Sequence, residues 1–278
     1  MHLIMFKKLR IYMICRVQAL LFQFFTNHAF RSQEMLLKAI LKVRGYNNFS
    51  NMFDSGESFF ICEILAPTNP KLCIDIGANK GDYSYEILNK TDASIIAFEP
   101  LNQEFIFLTE RLKHYGDRFK GINMGVGSKS GRDLIYWNPR KTSHASYISK
   151  INKIDYVDNF YVQEVNTVTL DEFIQANNIH HIDLVKIDVE GFEQEVLNGA
   201  LNAIKKCKVN FIQIEMNWHQ LLGGNSLFYF SELLPDYKVF QLLKNSWVER
   251  DPLDPFSNLY LFSNFIFVSK QFFKSQNS

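Results

Sequence analysis

The sequence predicts an α/β fold: a mostly parallel, doubly wound sheet closed by an antiparallel C-terminal hairpin. Three observations predict it. Between residues 57 and 270, short apolar runs rich in Val, Ile and Phe alternate with helical patterns, with no repeat, low-complexity tract or linker. The first run passes directly into a glycine-rich turn. Acid-containing motifs collect at the carboxyl ends of the runs, where ligands bind in such sheets.

The elements follow in order. Lys71–Ile76 reads as a first strand and Asp82–Asn89 as its helix; Ala93–Phe98 is a second strand, closed by Glu99 and Pro100, with a helix over Gln103–Tyr115. Lys120–Val126 is a third strand. Asp133–Trp137 and Val162–Val168 then read as antiparallel strands flanking a polar loop, Asn138–Lys153. The rhythm resumes with a helix near Leu170–Asn177, a fourth strand Asp183–Asp188, a helix Phe192–Lys205 and a fifth strand Val209–Met216. Tyr237–Leu243 and Leu259–Val268 complete the sheet, the last as an antiparallel partner.

A hydrophobic share of 47% and a charged share of 21% are ordinary for a globular protein. A net charge of +1 gives no global field for nucleic acid, and no nucleic-acid partner is expected. The charge is uneven: residues 1–50 hold eight Lys/Arg against Glu34 alone, net +7, on a body of net −6. Residues 1–56 therefore read as a basic helical extension and 57–278 as the main domain. Leu9–Phe25 is apolar but broken by Arg16 and Gln18, with no cleavage site after it. It reads as a helix packing on the core or on a second copy of the chain, with peripheral membrane contact through residues 1–25 as the alternative. Cys15, Cys62, Cys73 and Cys207 show no paired spacing, so a reducing, cytoplasmic setting is expected, without disulfides or zinc.

The chemistry concentrates at the strand ends. Asp75-Ile76-Gly77-Ala78-Asn79-Lys80-Gly81 gives a tight turn that lets backbone approach a ligand. An acid inside a buried strand needs a cationic or N–H partner, such as the ammonium of an amino-acid moiety. The turn is G-x-x-x-G and lacks the G-x-G-x-x-G of a dinucleotide site, so a nucleoside with a charged amino-acid tail fits better. Glu99 is placed to accept ribose hydroxyls, and Asn123 is a candidate for the adenine region. In the fourth strand Asp188 and Glu190 precede Gly191; two carboxylates so close can raise one another's pKa towards that of a useful base. A helix N-terminus explains one such acid but not both.

CIDIGANKGDYS, AFEP and DLVKIDVEGFEQEVLNGA, in this order and at these separations, resemble the FkbM family of methyltransferases over residues 71–216. Val168–Asp171 also fits the family pattern. The resemblance implies a Rossmann-like, seven-stranded methyltransferase fold, S-adenosylmethionine as cofactor, and O-methylation of a sugar, glycan or other secondary metabolite. It implies that Asp75, Gly77, Asn79 and Gly81 hold the methionine end and Glu99 the ribose, with Asp188 and Glu190 facing the reacting centre.

A sugar hydroxyl needs a general base, so Glu190 or Asp188 is expected to serve, followed by His144 or His219. His144, Trp218 and His219 are the candidate substrate contacts, the acceptor being a small molecule, sugar or lipid-linked glycan. No metal is expected; a secondary reading places Mg²⁺ on Asp188, Glu215 and Asn217. The competing readings are a nicotinamide-dependent oxidoreductase and a non-catalytic nucleoside-binding or scaffold protein.

Overall fold

The computed structural model describes residues 13, 15–23, 26, 30–206 and 208–276. It divides into two compact units, Met1–Arg44 and Gly45–Ser278. In the first, residues 15–23 and Phe30–Val43 are helical and expose Val17, Leu20, Phe22, Met35, Leu37 and Val43. Much of the segment expected to contact a membrane, residues 1–12 above all, lies outside the described residues. Among those described, no helix is long and apolar enough to cross a membrane.

The second unit is Rossmann-like. Its eleven described strands are β1 (Leu72–Ile76), β2 (Ser94–Phe98), β3 (Phe119–Ile122), β4 (Gly125–Val126), β5 (Gly131–Trp137), β6 (Tyr161–Val168), β7 (His181–Ile187), β8 (Lys208–Met216), β9 (Tyr237–Leu243), β10 (Ser246–Glu249) and β11 (Ser263–Ser269). Eight form one sheet in the order β10-β9-β11-β8-β7-β1-β2-β3. The β8-β7-β1-β2-β3 half is parallel, and β11 runs antiparallel to both β8 and β9, which gives the expected antiparallel C-terminal edge. The short β10 adds an eighth strand through a hairpin with β9.

Three elements differ from their expected form, each for a local reason. The third strand breaks at Asn123, and its continuation β4 joins a separate three-stranded sheet, β4-β6-β5. The helix expected over Phe192–Lys205 is two, Glu193–Asn198 and Leu201–Lys206. At the break Gly199 packs against residue 127, where a Cβ would fall 2.0 Å from the Gly127 carbonyl oxygen. The last strand starts only at Ser263, so that Tyr260–Phe262 leave the sheet.

Residues 45–56 belong to the second unit. Tyr46 is buried and its hydroxyl donates to the Phe256 carbonyl at 2.6 Å, while Asn47 N–H donates to the Phe262 carbonyl at 2.8 Å. The compact body thus begins at Gly45, twelve residues before the boundary suggested by charge.

Strand alternation sets which side chains reach the site. Ile74, Ile76, Val185, Ile187, Ile212 and Ile214 enter one core, and Cys73, Leu184, Phe211 and Ile266 enter the other, on the opposite face. Asp75, Lys186 and Gln213 share the Cys73 face, and register places them side by side across β1, β7 and β8. That polar stripe lies in an apolar layer, so every member must find a partner.

Candidate active site

A cavity of about 900 Å³ opens over the carboxyl ends of β1, β2, β7 and β8. Its first wall is the turn after β1. Gly77 has φ +81° because the turn passes flush against β7: a Cβ there would lie 1.9 Å from the Asp188 carbonyl oxygen. Gly77→Ala therefore incurs both left-handed strain and a backbone clash, and should lose about 3 kcal/mol or more. Gly224→Ala, at a left-handed glycine with φ +75° and nothing within 4 Å, is the control and should lose only about 1 kcal/mol. Urea denaturation of the pair separates strain from close approach.

Asn79 takes φ +47°, which turns its N–H onto Glu99 Oε2 at 2.7 Å; Leu101 N–H donates to the other carboxylate oxygen at 2.8 Å. Burial raises the Glu99 pKa to about 7, the two backbone donors partly offsetting it. Glu99 still faces the cavity, and a carboxylate has acceptor capacity beyond two bonds. At the same end the buried Tyr147 hydroxyl has no hydrogen-bond partner among the described residues.

Two expected contacts lie elsewhere. Asp75 does not line the cavity: alternation turns it to the Cys73 face, where Ser84 Oγ donates to it at 2.7 Å and Lys186 Nζ stands 3.8 Å away. Asn123 does not line it either. Its amide donates to the Glu99 and Pro100 carbonyls at 2.9 and 3.2 Å, fastening the bend between β3 and β4. The two residues shape the pocket by holding its floor and its rim.

Lys186 is the hub of the floor. It bonds Asp188 Oδ2 at 2.9 Å and also faces Asp75 and Glu57. Burial alone would lower the ammonium's pKa, but the carboxylates of Asp188, Asp75 and Glu57 together push it up, so it stays charged. Glu57, which the sequence did not single out, is half-buried beside the stripe and accepts from Ser55 Oγ at 2.8 Å and Gln213 Nε2 at 3.0 Å.

Glu190 and His219 form the most directed group. Glu190 has φ +54°, in the turn before Gly191, and its Oε2 pairs with His219 Nδ1. His219 is only 2% exposed; burial lowers its pKa, but the Glu190 carboxylate more than reverses this and the net shift is upward. Tyr156 OH faces His219 Nε2 at 3.4 Å. The loop is held from below by Glu193, likewise missed from sequence, which accepts from Val189 and Gly191 N–H, both at 3.2 Å, and from Gln220 Nε2 at 2.8 Å.

Glu215, near the end of β8, and Asn217 and Trp218 just after it line the cavity. Carboxylate oxygens of Asp188, Glu190 and Glu215 lie within 4.8 Å of one another, a set that could hold a divalent cation. Asn217 stands beside this set: its Oδ1 accepts from His219 N–H at 2.7 Å and its Nδ2 donates to Glu215 at 2.9 Å. Burial and then Asp188 and Glu190 push the Glu215 pKa well up. The opposite wall comes from segments with no sequence motif: Phe49 and Met52, the loop around His144 and Tyr156, and Tyr260–Phe262. His144 is half-buried, its ring 6.3 Å from that of His219.

The pattern of the methyltransferase FkbM domain matches residues 75–236, the stretch that carries the turn, Glu99, Asp188, Glu190 and His219. The chain belongs to the FkbM methyltransferase family. It is similar to hexuronic acid methyltransferase AglP of Haloferax volcanii, 28% identical over 143 residues, covering 51% of this chain and 54% of that protein. It is also similar to methyltransferase 1 of Beauveria bassiana, 25% identical over 154 residues, covering 50% and 62%. The matched chain thus spans little more than half the length of these relatives. Among solved structures it resembles an O-methyltransferase from Bacillus cereus in complex with SAH, with 10% identity and a TM-score of 0.43, covering 88% of this chain and 93% of that one.

Proposed function

We propose that this FkbM-family chain transfers a methyl group from S-adenosylmethionine to a hydroxyl of a sugar, glycan or other small metabolite. The observation that carries this reading is one continuous cavity with two ends of different chemistry. One end offers the glycine turn, Glu99 and Tyr147; the other offers the Glu190–His219 pair. The name of the Haloferax volcanii relative supports a sugar-class acceptor.

The residues present fit the cofactor. The Gly77–Gly81 turn would admit its amino-acid end, and Glu99 would accept its ribose hydroxyls. When bound, S-adenosylmethionine supplies the methyl group as an electrophile with a neutral leaving group. What remains for the chain is to align the acceptor and take its proton. Glu190 fixes the imidazole of His219 with Nδ1 inward, leaving Nε2 as the proton acceptor in place of its contact with Tyr156. Asp188, tied to Lys186, gives a fixed negative charge at the end of β7. Peripheral membrane contact by residues 1–25 and self-association remain readings of the extension alone.

The test is methyl transfer to extracted glycans and lipid-linked sugars, read by mass spectrometry as a gain of one methylene. Absence of transfer to any hydroxyl-bearing acceptor, with transfer to thiols or amines instead, would overturn the O-methylation reading.

The carboxylate set at Asp188, Glu190 and Glu215 permits a Mg²⁺ version in which the ion polarises the acceptor hydroxyl. Lys186 and His219 already compensate two of its three members. Activity should therefore survive exhaustive EDTA treatment within about twofold; a loss of about tenfold or more, restored by Mg²⁺, would favour the metal.

A further inference from the structure

We infer that the helix Phe30–Val43 lies on an anionic lipid surface, with its apolar face submerged and its lysines at the headgroups. The inference concerns the first unit by itself and is independent of the methyl-transfer reading. From Met13 to Arg44 every described side chain is exposed or half-exposed, so this unit has no buried core among its described residues. Leu36, Leu37, Ile40 and Val43 recur at helical spacing and share one face, from 39% exposed at Leu36 to 81% at Val43. Glu34, Lys38 and Lys42, each four residues apart, run along the opposite face. The preceding helical stretch, residues 15–23, repeats the pattern: Val17, Leu20, Leu21 and Phe22 are exposed, and Arg16 is its one charge.

A helix of 14 residues is marginal in water and draws its stability from burying an apolar face. Its own unit leaves this face uncovered, and charge selects the cover. Residues 1–44 carry eight Lys/Arg and a single acid, Glu34, which is already paired with Lys38 at 2.7 Å. A second extension would set like charge against like charge, whereas anionic headgroups attract it. A lipid surface also supplies apolar contact along the whole helix, about 20 Å. Lysine suits the boundary, because its stem runs along apolar surface while the ammonium reaches the headgroups. Among the described residues no helix is long and apolar enough to cross a membrane, so the helix lies on the surface.

The experiment sediments the full chain with vesicles of phosphatidylcholine, alone or mixed with phosphatidylglycerol. Binding to the mixed vesicles should be tighter by about tenfold or more, and should weaken by about fivefold or more when salt rises from about 0.1 to about 0.5 M. The double variant Leu37→Glu/Ile40→Glu should lose about tenfold or more in affinity, and Lys38→Gln/Lys42→Gln about fivefold or more. All four side chains are exposed, so thermal unfolding should stay within about 2 °C of the native midpoint in both variants. Light scattering without lipid reads the competing cover. A dimer that Leu37→Glu/Ile40→Glu dissociates, with no vesicle binding, would assign the face to a second copy and overturn the inference. Equal binding to both vesicle types, binding to neither, or binding that neither double variant weakens would overturn it as well.

Discussion

Glu190→Gln and His219→Asn should each reduce methyl transfer by about 10²–10⁴-fold while leaving S-adenosylhomocysteine affinity within about twofold. The two residues meet through Glu190 Oε2 and His219 Nδ1, and neither lies at the glycine-turn end. Groups acting as one unit are not additive, so the double variant should be no slower than the worse single one by more than about threefold. The pH profile identifies the base. His219 has its pKa raised by Glu190 against the opposing effect of burial, so the neutral, proton-accepting form appears only as pH climbs above the ordinary histidine value. Turnover should therefore rise with pH through an inflection above that value. In Glu190→Gln the carboxylate's contribution is lost and burial remains, so the inflection should move down. His144, Tyr156, Asn217 and Asp188 also face the pair and stay unchanged in both variants. Undiminished turnover in both single variants, or an inflection that does not move, would remove the pair from the mechanism.

Lys186→Met should cost about 3–5 kcal/mol of folding stability, because it leaves Asp75, Asp188 and Glu57 without their shared cation. Methionine keeps the length of the stem, so the loss measures charge rather than volume. The pH dependence gives the sign. Asp75 and Glu57 already have pKa values raised by burial, with Lys186 the main opposing influence. Without it they rise further, and the folded state holds protons that the unfolded chain has released. Stability then falls as pH climbs through the interval between unfolded and folded values. The deficit of Lys186→Met relative to the native chain should be smaller at pH 5 than at pH 8 by about 1 kcal/mol or more. An equal deficit at both would mean that packing, not charge, is what Lys186 supplies. Guanidinium denaturation at the two pH values makes the measurement.

The parts of the site that were legible in the sequence are those written locally. The glycine turn, Glu99 after its strand, and the Asp188–Glu190 run each carry a strand-to-loop signature within a few residues. The side a strand residue faces was not legible. In a parallel sheet buried on both faces, apolar residues occupy every position, and parity alone cannot orient Asp75. The structure resolves it through Ser84 and Lys186, placing Asp75 beneath the pocket. Asn123 is a candidate for the adenine region only by its place in the third strand; its partners are the Glu99 and Pro100 carbonyls at the end of the preceding strand.

The acceptor wall was illegible for a different reason. Residues 45–57 and 260–262 come together through contacts such as Asn47 with Phe262, more than two hundred residues apart, and neither segment carries a motif. Glu193 carries a local signal: an acid just beyond Glu190 and Gly191, at the start of a helix, is well placed to accept the turn's N–H groups. His219 and Trp218 were found because they immediately follow a strand end, where side chains of this fold converge.

The most direct test is calorimetry of the full chain with S-adenosylhomocysteine and NAD⁺ in parallel. A saturable isotherm with S-adenosylhomocysteine, weakened by about tenfold or more in Glu99→Ala, and no heat with NAD⁺ is the predicted result. Binding of NAD⁺ alone, or of neither ligand, would contradict it.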